Sequence, residues 1–443
     1  MRTAPLSFLV ALLLGLTACR STPKAVEVNR AAETYRPPQG VAPTSDDIQR
    51  NARTLFDDGR KIFRDDTFGS EAYWGGQLRL HEAIIGRKNG GVGVGITPVQ
   101  ALKLGLKVDV ARVPALVVDG LKKGTVNLES ADTTVALLKA NAIVGVVAVQ
   151  EKGQIVSMGV TCALCHSTVD DSFTKGIGRR LDGWPNRDLD IGQIVASAPN
   201  LKPLQDQIGV DEDTLKKVLT SWGPGRYDAE LTMDGKASGP TLIPAAFGLA
   251  GQNLHTYAGW GSIPYWNAYV ANTQMHGKGT FVDGRLNDKK FPLAQKNHTF
   301  DKRDVEDLIT SKLPALQFYQ LAIPAPTPPE GSYDERGAAR GATVFAGKAR
   351  CAQCHVLPLF SEPGWPMHKG AEIGIDDIQA SRSPDGLYRT TPLAGLFARA
   401  KGGYYHDGRF KTLDDVVAHY EKHLKLDLSG AERADLLEYL KSL

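Results

Sequence analysis

One pentapeptide constrains this chain more than any other feature, because it occurs twice. Cys162-Ala163-Leu164-Cys165-His166 is the first copy and Cys351-Ala352-Gln353-Cys354-His355 is the second. Two thiols with two residues between them reach one edge of a porphyrin and add to its vinyl groups. The histidine that follows at once brings its imidazole under the ring as an axial iron ligand. The two copies use four of the five cysteines. A zinc site usually brings its second ligand pair within a few tens of residues, a redox dithiol needs no adjacent histidine, and an x-x loop is a strained place for a structural disulfide. The pattern predicts two covalently bound haem c groups, held through Cys162, Cys165 and His166 and through Cys351, Cys354 and His355.

Residues 1–19 read as a lipoprotein signal peptide. Arg2 gives a basic start, and Leu6 to Leu16 is an apolar run too short to span a bilayer. Leu16-Thr17-Ala18-Cys19 is similar to the bacterial lipobox, in which the cysteine becomes the lipidated first residue. The cysteine count then closes, with one for a lipid and four for haem. Export agrees with haem attachment outside the cytoplasm. By similarity to known sorting behaviour, Arg20 after the cysteine favours the outer membrane, with the protein facing the periplasm. Residues 20–45, with Pro23, Pro37, Pro38 and Pro43, read as a tether. The formal charge of +3, from 52 basic and 49 acidic residues, leaves no nucleic-acid footprint. The expected partners are a membrane, through the lipid, and a small redox donor or acceptor.

The mature chain is long enough for more than one domain. The pattern predicts a first haem domain at 46–322, a proline-rich linker at 323–332 and a second, cytochrome c-like haem domain at 333–443. A helix is expected over Ser45 to Phe63 and a short one over Thr133 to Ala140. Ile143 to Val149 and Ile155 to Val160 are β-branched runs that read as strands, the second leading straight into the first motif. The glycines of 86–96 match no phosphate or dinucleotide fingerprint and read as a loop. Residues 222–286 alternate glycine with large rings, a pattern that suits either a core or the wall of a large flat cofactor. Pro324, Pro326, Pro328 and Pro329 mark the linker. Helices are expected over Gly337 to Phe345, over Leu413 to His423, and from Ser429, whose capping-box partner is Glu432, to Leu443. The fold class is mainly α with minor β and long irregular segments: two cytochrome c-like haem domains, the first enlarged by insertions.

The chain after the tether resembles the bacterial dihaem proteins related to cytochrome c peroxidase, a superfamily that includes the tryptophan-modifying enzyme MauG and the rubber oxygenases. The resemblance rests on Leu313-Pro314-Ala315-Leu316, the proline linker, Gly341 to His355, Tyr388-Arg389-Thr390-Thr391 through Leu393, and Tyr405-His406-Asp407-Gly408-Arg409-Phe410 with Thr412-Leu413. The long stretch between the motifs is more like the rubber oxygenases than the classical peroxidases. The resemblance implies an oxidoreductase with divided labour: one haem activates peroxide or oxygen while the other relays electrons. The alternative is a pure electron-transfer lipoprotein with both haems six-coordinate.

For the second haem, Tyr420 falls where the family carries Met or Tyr as sixth ligand. His419, His406 and the Met367-His368 pair are further candidates, and His419 and Tyr420 lie about 100° apart on one helix, so only one of them faces iron. For the first haem, His81, His255, Met275 and His276 are possible ligands. An open site is equally compatible, with Trp260, Trp266 and Phe281 as walls and His255 or His276 as the polar group above it. That open, reactive site is expected at His166. If Cys19 carries the lipid, Cys19→Ala releases the protein into the soluble periplasmic fraction; retention of the variant in membranes refutes the assignment.

Overall fold

The structure, a computed structural model, describes residues 43–237 and 239–443; the signal peptide with Cys19, and the tether as far as residue 42, lie outside them. Helix α1 (Ser45–Asp65) begins where the Thr44 hydroxyl accepts from the Asp47 N–H and the Asp47 carboxylate accepts from the Thr44 N–H, a reciprocal cap on the predicted acidic start. Helix α2 (Ala131–Lys139) is capped by Ser130. Strands β1 (Val146–Glu151) and β2 (Gln154–Val160) form an antiparallel hairpin with Val146 opposite Val160. Its two turn residues, Lys152 and Gly153, both have positive φ, which matches the twist that a two-residue hairpin requires. Strand β2 runs directly into the first motif, whose last four residues form the single turn α3 (Ala163–His166). Gly145 lies at φ +77°, and a Cβ there would sit 2.1 Å from the Leu164 nitrogen. The entry to the hairpin therefore presses on the motif.

Helix α4 (Ile263–Thr273) lies in the aromatic-rich stretch, and α5 (Leu313–Ala322) packs on α1. Tyr319 of α5 meets Phe56 and Phe63 at ring-centroid distances of 5.3 and 5.6 Å. Residues 323–332 contain no helix or strand. Beyond them come α6 (Glu335–Ala346), α7 (Leu413–Leu424) and α8 (Gly430–Lys441), the last capped by Ser429 and Glu432 as the sequence predicts. Helices α6 and α8 cross at Gly341. Phe345 meets Tyr439 there at 5.2 Å, and with Leu396, Val417, Leu436 and Leu440 it forms a core against which Cys351 packs.

Among the described residues strands pair only two by two, in five small sheets, so the architecture is mainly helical. Residues Thr44–Leu443 hold together as one unit. No described helix is long and apolar enough to cross a membrane.

The α6–α8 crossing needs a residue without a side chain, since a Cβ on Gly341 would lie 2.0 Å from the Asp435 carbonyl oxygen. Gly341→Val forces the helices apart and costs about 1–3 kcal/mol or more, as overpacking does. The measurement is the thermal unfolding midpoint, and an unchanged midpoint would mean that the two backbones do not touch at this position.

Candidate functional site

Each motif folds as one tight turn. In the first, the His166 N–H donates to the Cys162 carbonyl at 3.1 Å, Gly183 N–H to the His166 carbonyl at 2.8 Å and Asn186 N–H to the Cys165 carbonyl at 2.8 Å. In the second, the His355 N–H donates to the Cys351 carbonyl at 2.9 Å. The imidazoles are held alike. His166 Nδ1 lies 3.1 Å from the Pro244 carbonyl and His355 Nδ1 lies 3.0 Å from the Phe360 carbonyl. A carbonyl only accepts, so Nδ1 carries the proton in both rings and Nε2 keeps its lone pair for a metal. Burial pushes both histidines below their ordinary pKa, which keeps them neutral. All four cysteines are free, and burial raises the thiols of Cys162 and Cys165 to about 12 and that of Cys351 to about 11. A pair of free thiols beside a neutral imidazole with an available Nε2 is the donor set that a haem c takes, so the residues present fit the group.

Around the second motif the structure separates the candidates. Burial raises the Tyr420 phenol, which faces the thiols of Cys351 and Cys354, with Tyr405 at 6.4 Å. His419 turns the other way: its Nε2 donates to the Ile373 carbonyl at 2.8 Å, and it stacks on His423. His406 is buried and stacks on Tyr388 at 5.2 Å. His368 has both ring nitrogens engaged, with Glu362 at 2.6 Å and Glu372 at 3.0 Å, and neighbouring Met367 reaches Gly259.

Around the first motif the predicted residues split into groups. Trp260, Trp266, Tyr269 and Phe281 pack on one another, with Trp260 to Trp266 at 4.6 Å and Tyr269 to Phe281 at 5.3 Å. They form a cluster with Met233, Leu286 and Phe291, distinct from the core that takes in Cys162 and Cys165. His255 is buried beneath that cluster, accepting from the Trp266 indole through its carbonyl at 3.2 Å, and burial pushes its imidazole down to about 4. His276 stacks on Tyr73 at 3.5 Å and is pushed by burial down to about 3. Met275 accepts the Trp74 indole N–H through its carbonyl, and His81 is buried.

Three phenols that sequence spacing does not single out also gather here. Tyr227 is coupled to the Cys165 thiol and to the phenols of Tyr269 and Tyr73, and the hydroxyls of Tyr73 and Tyr269 are buried without partners. Nearby sits a buried acidic group. Arg382 forks onto Asp234 at 2.8 and 3.0 Å and onto Asp228 at 2.9 Å, while Gln379 donates to Glu230 at 2.7 Å. Two carboxylates thus share one guanidinium with a third, Glu230, held beside them by Gln379, and the second oxygen of Glu230 has no partner among the described residues. Burial raises Glu230 to about 7, helped by the Asp228 charge, and raises Asp228 as well.

No family model matches the chain. Over 124 residues, 24% of this chain, it is 32% identical to the methylamine utilization protein MauG of Methylorubrum extorquens. The match spans 34% of that protein, about a third of its length. It supports the resemblance to the dihaem superfamily of cytochrome c peroxidase and MauG. Two solved structures share 18% identity over 46% of this chain and 73% of theirs: a MauG-like protein associated with microbial copper homeostasis, at a TM-score of 0.32, and the Kuenenia stuttgartiensis hydrazine synthase, at 0.26. Scores this low carry no argument about the fold.

The raised Glu230 gives the protein a signed pH dependence. Between its ordinary value of 4.5 and about 7 the folded chain keeps a proton that the unfolded chain has lost, so stability falls as pH rises through this window and levels off above it. The loss is on the order of 3 kcal/mol, and Glu230→Gln flattens it. Unfolding midpoints from pH 4 to 8 check this, and a wild-type profile as flat as the variant's would contradict it.

Proposed function

We propose that this chain is an exported dihaem c-type oxidoreductase in which the haem held by His166 activates peroxide or oxygen and the haem held by His355 relays electrons. The observation that carries the proposal is the matched pair of motif turns, each with free thiols and a main-chain carbonyl fixing the imidazole so that Nε2 is available. Bound haem iron supplies one-electron chemistry at both sites and an oxygen-binding position where one axial face stays open. The residues of the chain supply the rest.

The two carbonyls orient the proximal rings and hold their protons on Nδ1. At the second site Tyr420 would be the side chain that holds the haem iron opposite His355, a reading supported by the His419 imidazole being bonded to the Ile373 carbonyl. At the first site Tyr73, whose buried hydroxyl has no partner among the described residues, and the Tyr227 phenol, which packs against the same core as Cys165, would be able to donate hydrogen bonds to an oxygen-centred substrate and exclude bulk water. A lipid on Cys19 fixes the protein to the outer membrane, facing the periplasm, where a small redox protein or molecule exchanges electrons with it. The alternative, plain electron transfer with both irons six-coordinate, draws on His276, which stands beside Tyr73 and has the basicity of a neutral ligand.

Purified protein is expected to keep two haems through denaturing electrophoresis and to give a pyridine haemochrome for two haem c; a colourless, zinc-loaded protein would sink the proposal. Electron paramagnetic resonance then decides between the two modes. The wild type is expected to show a high-spin ferric signal and to bind cyanide. His166→Ala abolishes both and His355→Ala spares them. Low-spin signals alone favour plain electron transfer, and a high-spin signal that survives His166→Ala assigns the reactive site to the other haem.

A further inference from the structure

Three guanidinium groups lie where no carboxylate among the described residues meets them. Arg187 stands behind the first motif, next to Asn186, whose N–H is bonded to the Cys165 carbonyl. Arg389 and Arg399 stand behind the second: the Thr390 carbonyl accepts from the Ser361 hydroxyl at 2.6 Å, and the Thr391 backbone faces the His355 ring. The groups that touch these arginines are neutral. Arg187 donates to the Lys401 carbonyl at 3.2 Å and to the Tyr257 hydroxyl at 3.3 Å. Arg389 donates to the Thr256 carbonyl at 2.9 Å and to the Gln252 side-chain oxygen at 2.5 Å. Arg399 has one weak bond, to the Ala394 carbonyl at 3.4 Å, and lies over the Phe247 ring at 4.6 Å. Arg187 Nε and Arg399 Nη2 are buried without any partner, and Arg187 is only 7% exposed.

Nearby cations behave otherwise. Lys401 pairs with Asp188, Arg409 with Asp376 and Asp407, and Arg382 with Asp228 and Asp234. Burial, and then repulsion from Arg399, lowers Arg389 to about 9; burial lowers Arg399 to about 10, with repulsion from Arg187 as a smaller contribution. A cation held out of water without a counter-charge is far costlier than a missing hydrogen bond; Arg187 is buried, Arg389 and Arg399 are half-buried, and the three together point to negative charge that joins them in the working protein. Two planar forks with open N–H groups suit carboxylates.

We infer that Arg187, Arg389 and Arg399 form one anion site, shared by the two motif-bearing segments, that receives propionate carboxylates of the attached porphyrins. The inference rests on the dihaem reading above. It assigns the arginines a further role: positive charge held beside a porphyrin edge favours the reduced iron and raises its potential.

The test is a spectroelectrochemical titration of the holoprotein, with haem content read on denaturing gels. Arg187→Gln and Arg399→Gln are each expected to keep two covalent haems and to lower the midpoint potential of at least one of them. Arg399→Lys, which keeps the charge, stays near the wild-type potential but shifts the propionate-bending bands in resonance Raman spectra because it lacks the fork. The Raman comparison also serves if the Gln variants fail to accumulate. Unmoved potentials together with unmoved bands overturn the inference. So do wild-type potentials that shift saturably with added phosphate, which would make the site one for a free anion. Protein lacking covalent haem would instead refute the dihaem reading, a separate outcome.

Discussion

Both motif histidines depend on one kind of contact, an imidazole N–H held by a main-chain carbonyl, and the two instances differ in reach. Phe360 supplies the carbonyl for His355 from five residues away, so the second motif orients its own ring. Pro244 supplies it for His166 from 78 residues away. The His166 imidazole is therefore oriented only once the chain around Pro244 has folded over it. The stretch between His166 and Pro244, which has no counterpart in the compact second half, is in this sense part of the proximal side of the first site. The hydrogen bond to Nδ1 also tunes the basicity of the ligand, so the first site draws an electronic property of its ligand from a distant loop.

The interior between the two halves is polar to an unusual degree. Arg382 is 2% exposed, as buried as a core leucine, and is tolerated because Asp228 and Asp234 neutralise it. Gln379 from the same short segment holds Glu230. These contacts are directional, unlike apolar packing, and they fix how the segment around 228–236 meets the segment around 379–383. The basic cluster at Arg187, Arg389 and Arg399 lies between the same two parts of the chain with the opposite sign, so the two halves meet through separate regions of excess negative and excess positive charge.

The two Cys-x-x-Cys-His turns were legible because the motif is local in sequence, and the terminal helices because caps and periodicity are local. The β1–β2 hairpin was visible in its β-branched runs, and Gly341 with Phe345 in their resemblance to a known helix pair. The wall of the first site was not legible. Trp260, Trp266 and Phe281 are large rings in a glycine-rich stretch, but ring size does not say which core a ring joins, and they joined one another. Tyr73, Tyr227 and Tyr269 come together only in space, as do the three arginines, so no local spacing marks them. Helical angle alone does not separate His419 from Tyr420, and the contact that distinguishes them, from His419 to the Ile373 carbonyl, comes from 46 residues upstream.

The Arg382 fork has a consequence for how the molecule is made. Its partner Asp234 lies 148 residues upstream, and Tyr257 meets Arg187 from 70 residues further along the chain. Contacts of such sequence separation close late, because the loop entropy is spent before they reward it. A chain emerging from a membrane pore amino end first would display its first Cys-x-x-Cys-His in an unfinished fold, with the carbonyl of Pro244 and the strap that bears Arg382 still to arrive. The thiols of Cys162 and Cys165, half-buried in the finished protein, would at that stage be more open to solvent. On the proposed reading, the long reach of these contacts would leave an interval for cofactor loading before the C-terminal half closes over the first motif.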